Sequence, residues 1–157
     1  MTLPVRWTPG LLRSAVAEFD VRPTRHGRLF AKVVVFKSNK AMRAFWSHRI
    51  SKSPLGRWTV GACNGLICWS EKRGQRRVTE TDRRYFCVIG LIVGRVGMEV
   101  IAHEAVHAGF CYAKRVRRTP WAAARDFDEE EVAYPAGAIA RAINRELHRR
   151  NLYDRKM

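Results

Sequence analysis

Residues 103 to 107 read HEAVH, two histidines four apart with a glutamate directly after the first. On a helix, residues four apart lie one turn apart on the same face, so His103 and His107 can address one cation while Glu104 projects beside them. Imidazole nitrogen suits zinc, and a carboxylate in that place can take a proton from a water that the metal has acidified. Random placement supplies this pattern in roughly one such sequence in a hundred, so the motif needs company. A catalytic zinc takes three protein ligands and keeps one position open, and the other histidines, His26, His48 and His148, stand at no standard spacing. Downstream lies a better source of a third ligand: five of the 14 acidic residues fall between Asp126 and Glu131. A cation site uses such carboxylates. They also suit the first turn of a helix, where Asp128 and Glu131 have capping-box spacing and offset the helix dipole. Both roles can hold at once, and a helical projection turns Glu129 rather than Glu130 toward the apolar face.

The order of an apolar strand, a helix carrying HExxH, a short connection and a helix opening with E-x-x-A resembles the gluzincins, the glutamate-ligand zinc peptidases that include thermolysin. The short connection and small size are most similar to the compact ImmA/IrrE-like and minigluzincin domains. Metzincins are excluded, because Phe110 and Ala113 stand where that class has glycine and a third histidine. The resemblance covers roughly residues 85–147. It implies a zincin-like α+β domain with a mixed sheet packed against the HExxH helix and a C-terminal glutamate helix. It also implies Zn2+ held by His103, His107 and Glu130, since Glu130, Ala133 and Gly137 match the spacing of ligand glutamate, small residue and glycine. Glu129 and Glu131 are the alternative third ligands, with Glu131 otherwise left to the cap. Glu104 is then the general base of a metalloendopeptidase acting on an intracellular protein or peptide substrate, and Tyr134 or Tyr112 is the oxyanion donor. The peptide would lie extended along an edge strand, which VGACNGLICW can supply. Two departures stand out. Tyr134 occupies the position of an aspartate that braces a zinc histidine, and Pro135 implies a kink or a later helix start.

These residues need elements to hold them. LFAKVVVFKS, from Leu29, reads as a strand, and NKAMRAFWSHRI reads as a helix capped by Asn39 with Met42, Phe45, Trp46 and Ile50 on one face. RWTVGACNGLICWSE suggests one strand or a bent pair about Asn64-Gly65, and KRGQRRVTETDRR an exposed hairpin connection. YFCVIGLIV is apolar throughout and of strand length, which predicts a central strand. After Gly94 and Gly97 the period becomes helical from Met98 to about Val116. The last element, Glu129 to about Asn151, puts Ala133, Ala136, Ala140, Ile143 and Leu147 on one face. Residues 1–28 read as a wrapping segment with one short helical pattern, PGLLRSAVAEF. No repeat or low-complexity linker interrupts the chain.

At 157 residues and 46% hydrophobic content, the chain suits a single domain with one core. No secretory signal is read at the N-terminus, and the longest apolar run is about half a membrane span, so a cytoplasmic protein without membrane contact is expected. Cys63, Cys68, Cys87 and Cys111 form no C-x-x-C pair and read as buried free thiols. The net charge of +16 exceeds anything folding requires. KRGQRR, KRVRR and RELHRRNLYDRK, with Trp58, Trp69 and Trp121 for stacking, offer a surface to nucleic acid. The competing function is therefore a basic protein that binds nucleic acid, or a host factor in the manner of phage or mobile-element proteins, on a zincin scaffold without essential proteolysis. Oligomeric state has no signature in the sequence.

Overall fold

The computed structural model describes residues 15–49, 55–57, 59–65, 84–117 and 128–153. The KRGQRR cluster, the three tryptophans named above, Cys68, Ile50, Asp126 and residues 1–14 lie outside them. The fold is α+β: a four-stranded mixed sheet with helices on both faces. Strand β1 is Ala15–Val21, β2 Phe30–Phe36, β3 Gly61–Gly65 and β4 Tyr85–Ile92, in the order β1-β2-β4-β3. β1 with β2 and β3 with β4 pair antiparallel, and β2 with β4 pairs parallel. YFCVIGLI is thus an interior strand, as its unbroken apolar run requires.

The period-2 geometry of strands splits the core in two. Val33, Val35, Ile89 and Leu91 face one side. Val34, Phe36 and Val88 face the other, where helix α1, Asn39–Arg49, covers them with Met42, Phe45 and Trp46. Register slips where Phe30 pairs Tyr85 but Ala31 pairs Cys87, leaving Phe86 as the extra residue of a bulge. That rotation sends Phe86 to the first face, its ring edge-on to Tyr112 at 5.3 Å.

Helices α2, Met98–Arg117, and α3, Glu129–Arg149, cover the first face. α2 lies over β3 and β4, while α3 packs on α2 and reaches β1. Gly94, at φ 74°, turns the chain from β4 toward α2 in a backbone conformation that glycine adopts without cost. Ile101, Ile139, Ile143 and Leu147 are fully buried between helices and sheet. Each contributes roughly 1.5–3 kcal/mol by leaving water.

Several expectations are corrected. Ala15–Val21, most of it inside the expected helical pattern, is an edge strand: Phe19 and Val21 are buried while Val16, Glu18 and Asp20 alternate outward or to the flank. Ser38, not Asn39, caps α1, its Oγ accepting from the Ala41 amide at 3.2 Å. Asn39 instead donates to the Thr59 carbonyl. α3 runs through Pro135 from Glu129 without a later start. Its buried face is Val132, Pro135, Ala136, Ile139, Ile143 and Leu147, and Ala133 points to solvent. The helix closes where Asn151, at φ 56°, lets the Leu152 amide bond back to the Leu147 carbonyl, a Schellman arrangement. Among the described residues, no helix is long and apolar enough to cross a membrane.

Candidate metal centre

The motif lies in the middle of α2, and the helix does with it what the spacing asks. His103 and His107 are both exposed, with their Nε2 atoms 3.1 Å apart and rings edge to face. Two nitrogens bound to one tetrahedral zinc at 2.0–2.1 Å would stand about 3.3 Å apart, so the pair is already close to chelating geometry. Burial, and then the neighbouring His103, hold His107 below its usual pKa. Near pH 7 it is neutral, the state in which imidazole binds metal.

Glu104 points about 100° away around the helix and is only 5% exposed. It is packed beneath the edge strand: a Cβ on Gly61 would lie 2.9 Å from Glu104 Cγ and 3.0 Å from Oε1. Only glycine leaves it room. Burial pushes its carboxyl up to about 7, in the range where a carboxylate can both take and return a proton near neutrality.

The acidic island is placed elsewhere. Asp128 caps α3, accepting from the Glu130 amide at 3.1 Å. The reciprocal arm of the expected capping box is missing, because Glu131 is held by Arg117 at the end of α2, with Nε and Nη2 3.1 and 2.5 Å from Oε1. Glu129 and Glu130 are exposed. Among the described residues, no set of three His, Cys, Asp or Glu side chains converges on one metal position, so Glu129, Glu130 and Glu131 do not join the histidine pair. The helix packing explains this. α3 crosses α2 at Gly109, whose added Cβ would meet the Val132 carbonyl at 2.7 Å. Gly109 is two residues past His107 and so nearly opposite it around α2, while Arg117 lies about 15 Å along the axis from His107. Tyr112 is half a rotation from His103 and spends its ring on Phe86, and Tyr134 is 72% exposed on α3.

On the histidine side the structure opens a groove of about 540 Å³ between α2 and β3, lined by His107, Phe110, Cys111 and Lys114 against Cys63, Asn64 and Gly65. β3 is the edge strand here, as VGACNGLICW suggested for its first half. Cys63, Cys87 and Cys111 are free thiols that lie together, Cys63 and Cys111 lining the groove and Cys87 buried in the core. The Cys63 thiol raises that of Cys111, with burial adding to it; burial raises Cys87; for Cys63 the pull of Cys111 is outweighed by Cys87 and burial. Protonated thiols are poor nucleophiles and poor ligands. Cys111 follows His107 by four and was visible by that spacing, whereas nothing local in the sequence points from Cys63 to it. Comparison with known proteins adds nothing to this geometry: no family model, curated protein or solved structure matches the chain.

Proposed function

We propose that the chain is a zinc-dependent metallopeptidase of the HExxH type, with His103 and His107 as the fixed zinc ligands and Glu104 as general base. The observation that carries this reading is the 3.1 Å separation of the two Nε2 atoms beside a buried carboxylate held near neutrality. Zinc, when bound, supplies Lewis-acid chemistry, acidifying water and polarising a carbonyl. Glu104 takes the proton of the attacking water and delivers it to the leaving amine. Its burial keeps competing water away, and Gly61 sets its position from across the helix-strand gap. The groove along β3 holds the peptide extended, with Phe110 and Lys114 beyond His107 contacting its side chains. Glu130 is the third ligand that the resemblance assigns, and taking that role requires the first turn of α3 to shift along α2. That shift breaks the pairing of the neighbouring Glu131 with Arg117.

Zinc titration by calorimetry tests the core of this reading. The wild type should bind one zinc per chain and His103→Ala or His107→Ala should abolish binding, while Glu104→Gln should keep the metal and lose hydrolysis of a labelled, unfolded protein. A wild type that takes up no zinc would end the reading. Glu130→Gln with undiminished zinc affinity would move the third ligand off that residue.

A further inference from the structure

At the β1 edge of the sheet, opposite the histidine groove, a cavity of about 660 Å³ opens between the chain leaving β1 and the outer face of α3. Arg22 and Arg25 form one wall and Arg141 and Arg145 the other, with Asp20 and Glu146 as the only carboxylates among its described lining residues. Both carboxylates are already committed. Asp20 accepts from Lys32 at 2.7 Å and from the Tyr85 hydroxyl at 2.8 Å, and Glu146 pairs with Arg149 at 2.7 Å and Arg150 at 3.3 Å. Among the described residues, Arg25, Arg141 and Arg145 have no carboxylate partner. Arg22 is oriented by the Phe30 ring, 4.8 Å from its guanidinium carbon.

Four guanidiniums from two separate segments therefore line one cavity with no carboxylate partner among the described residues. Arg141 and Arg145 stand at i, i+4, where like charges oppose the helix. The helix dipole accounts for cations in the last turn, Arg149 and Arg150, but not for Arg141 two turns earlier or for the arginines after β1. Ala138 and Ala142, interleaved with the arginines, keep the floor low. A guanidinium fork matches phosphate oxygens two at a time, and four such forks on two walls, in a chain of net charge +16, suit successive phosphates of a backbone better than a single one. We propose that this cavity is a phosphate clamp for a nucleic-acid backbone, separate from the metal centre and read by charge rather than by base sequence.

The test is fluorescence anisotropy of a labelled 20-nucleotide DNA strand, its duplex and the RNA strand of the same sequence, between 50 and 300 mM salt. Arg141→Ala/Arg145→Ala should weaken binding of the preferred form and flatten the slope of log K against log salt by about 1.4 to 1.8, the release of two counterions. Alanine favours helix, so a circular-dichroism melt should match the wild type. Arg22→Ala/Arg25→Ala, on the other wall, should flatten the slope similarly, and Lys40→Ala/Arg43→Ala on α1 should leave it unchanged. Absence of wild-type binding at 50 mM salt, or an unaltered slope in both cavity pairs, would overturn the clamp.

Discussion

Glu104 is a buried carboxylate for which no partner among the described residues offsets the loss of water, and its effect on stability has a definite sign. Its ordinary value is 4.5 and its folded value about 7, so between these pH values the folded chain holds a proton that the unfolded chain has released. The stabilisation is complete below pH 4.5 and is lost as pH rises through 7. In metal-free protein, Glu104→Gln should therefore raise the melting temperature at pH 8, by no more than about 3 kcal/mol in free energy, and change it little at pH 4.5. A variant equally stabilised at both would show that burial of the charge is not the cause. At this scale the sequence was informative where a rule is local: the i, i+4 spacing alone brought the histidines together. It could not reveal that Glu104 is covered by Gly61, because the strand and the helix meet across 43 residues of chain. The same reason keeps the sequence from choosing between Glu129, Glu130 and Glu131, since that choice depends on where α3 crosses α2.

Among the elements, the α2–α3 crossing governs how the first turn of α3 stands relative to the motif. Replacing Gly109 by alanine would gain about 1 kcal/mol on helix propensity alone. The new Cβ would sit 2.7 Å from the Val132 carbonyl, which is backbone and cannot step aside as a side chain would. Gly109→Ala should accordingly lower stability by about 1–3 kcal/mol in denaturant titration, and a net gain would mean that the helices are not so closely packed. The long helices and the central strand were legible because their apolar periods run many residues. AVAEFDV was not: seven residues fit either period, and β2 decides the matter by pairing with them. Ser38 displaced Asn39 as cap because Thr59 claims the asparagine amide, a contact 20 residues distant.

For the whole molecule, the sheet keeps the two candidate sites apart: the histidine groove lies at the β3 edge and the arginine cavity at the β1 edge, so substitutions at one should add independently to those at the other. Period marked most strands and helices and the resemblance implied the α+β class, but the order β1-β2-β4-β3 was not legible, because strand neighbours are chosen after the chain has crossed over. That order also dictates a sequence of events. The sheet consists of two antiparallel pairs, each closed within a short stretch of chain, joined by one parallel seam between β2 and β4. Closing the seam must gather about 50 residues of intervening chain, the larger entropic cost. In pulse-labelled hydrogen exchange during refolding, β2 amides that bond to β1 should become protected before the alternate β2 amides that bond to β4. Simultaneous protection would mean that the seam itself nucleates folding. If the seam closes late, both pairs wait with one edge open, and it is then that the chain is most exposed to pairing with a second copy of itself.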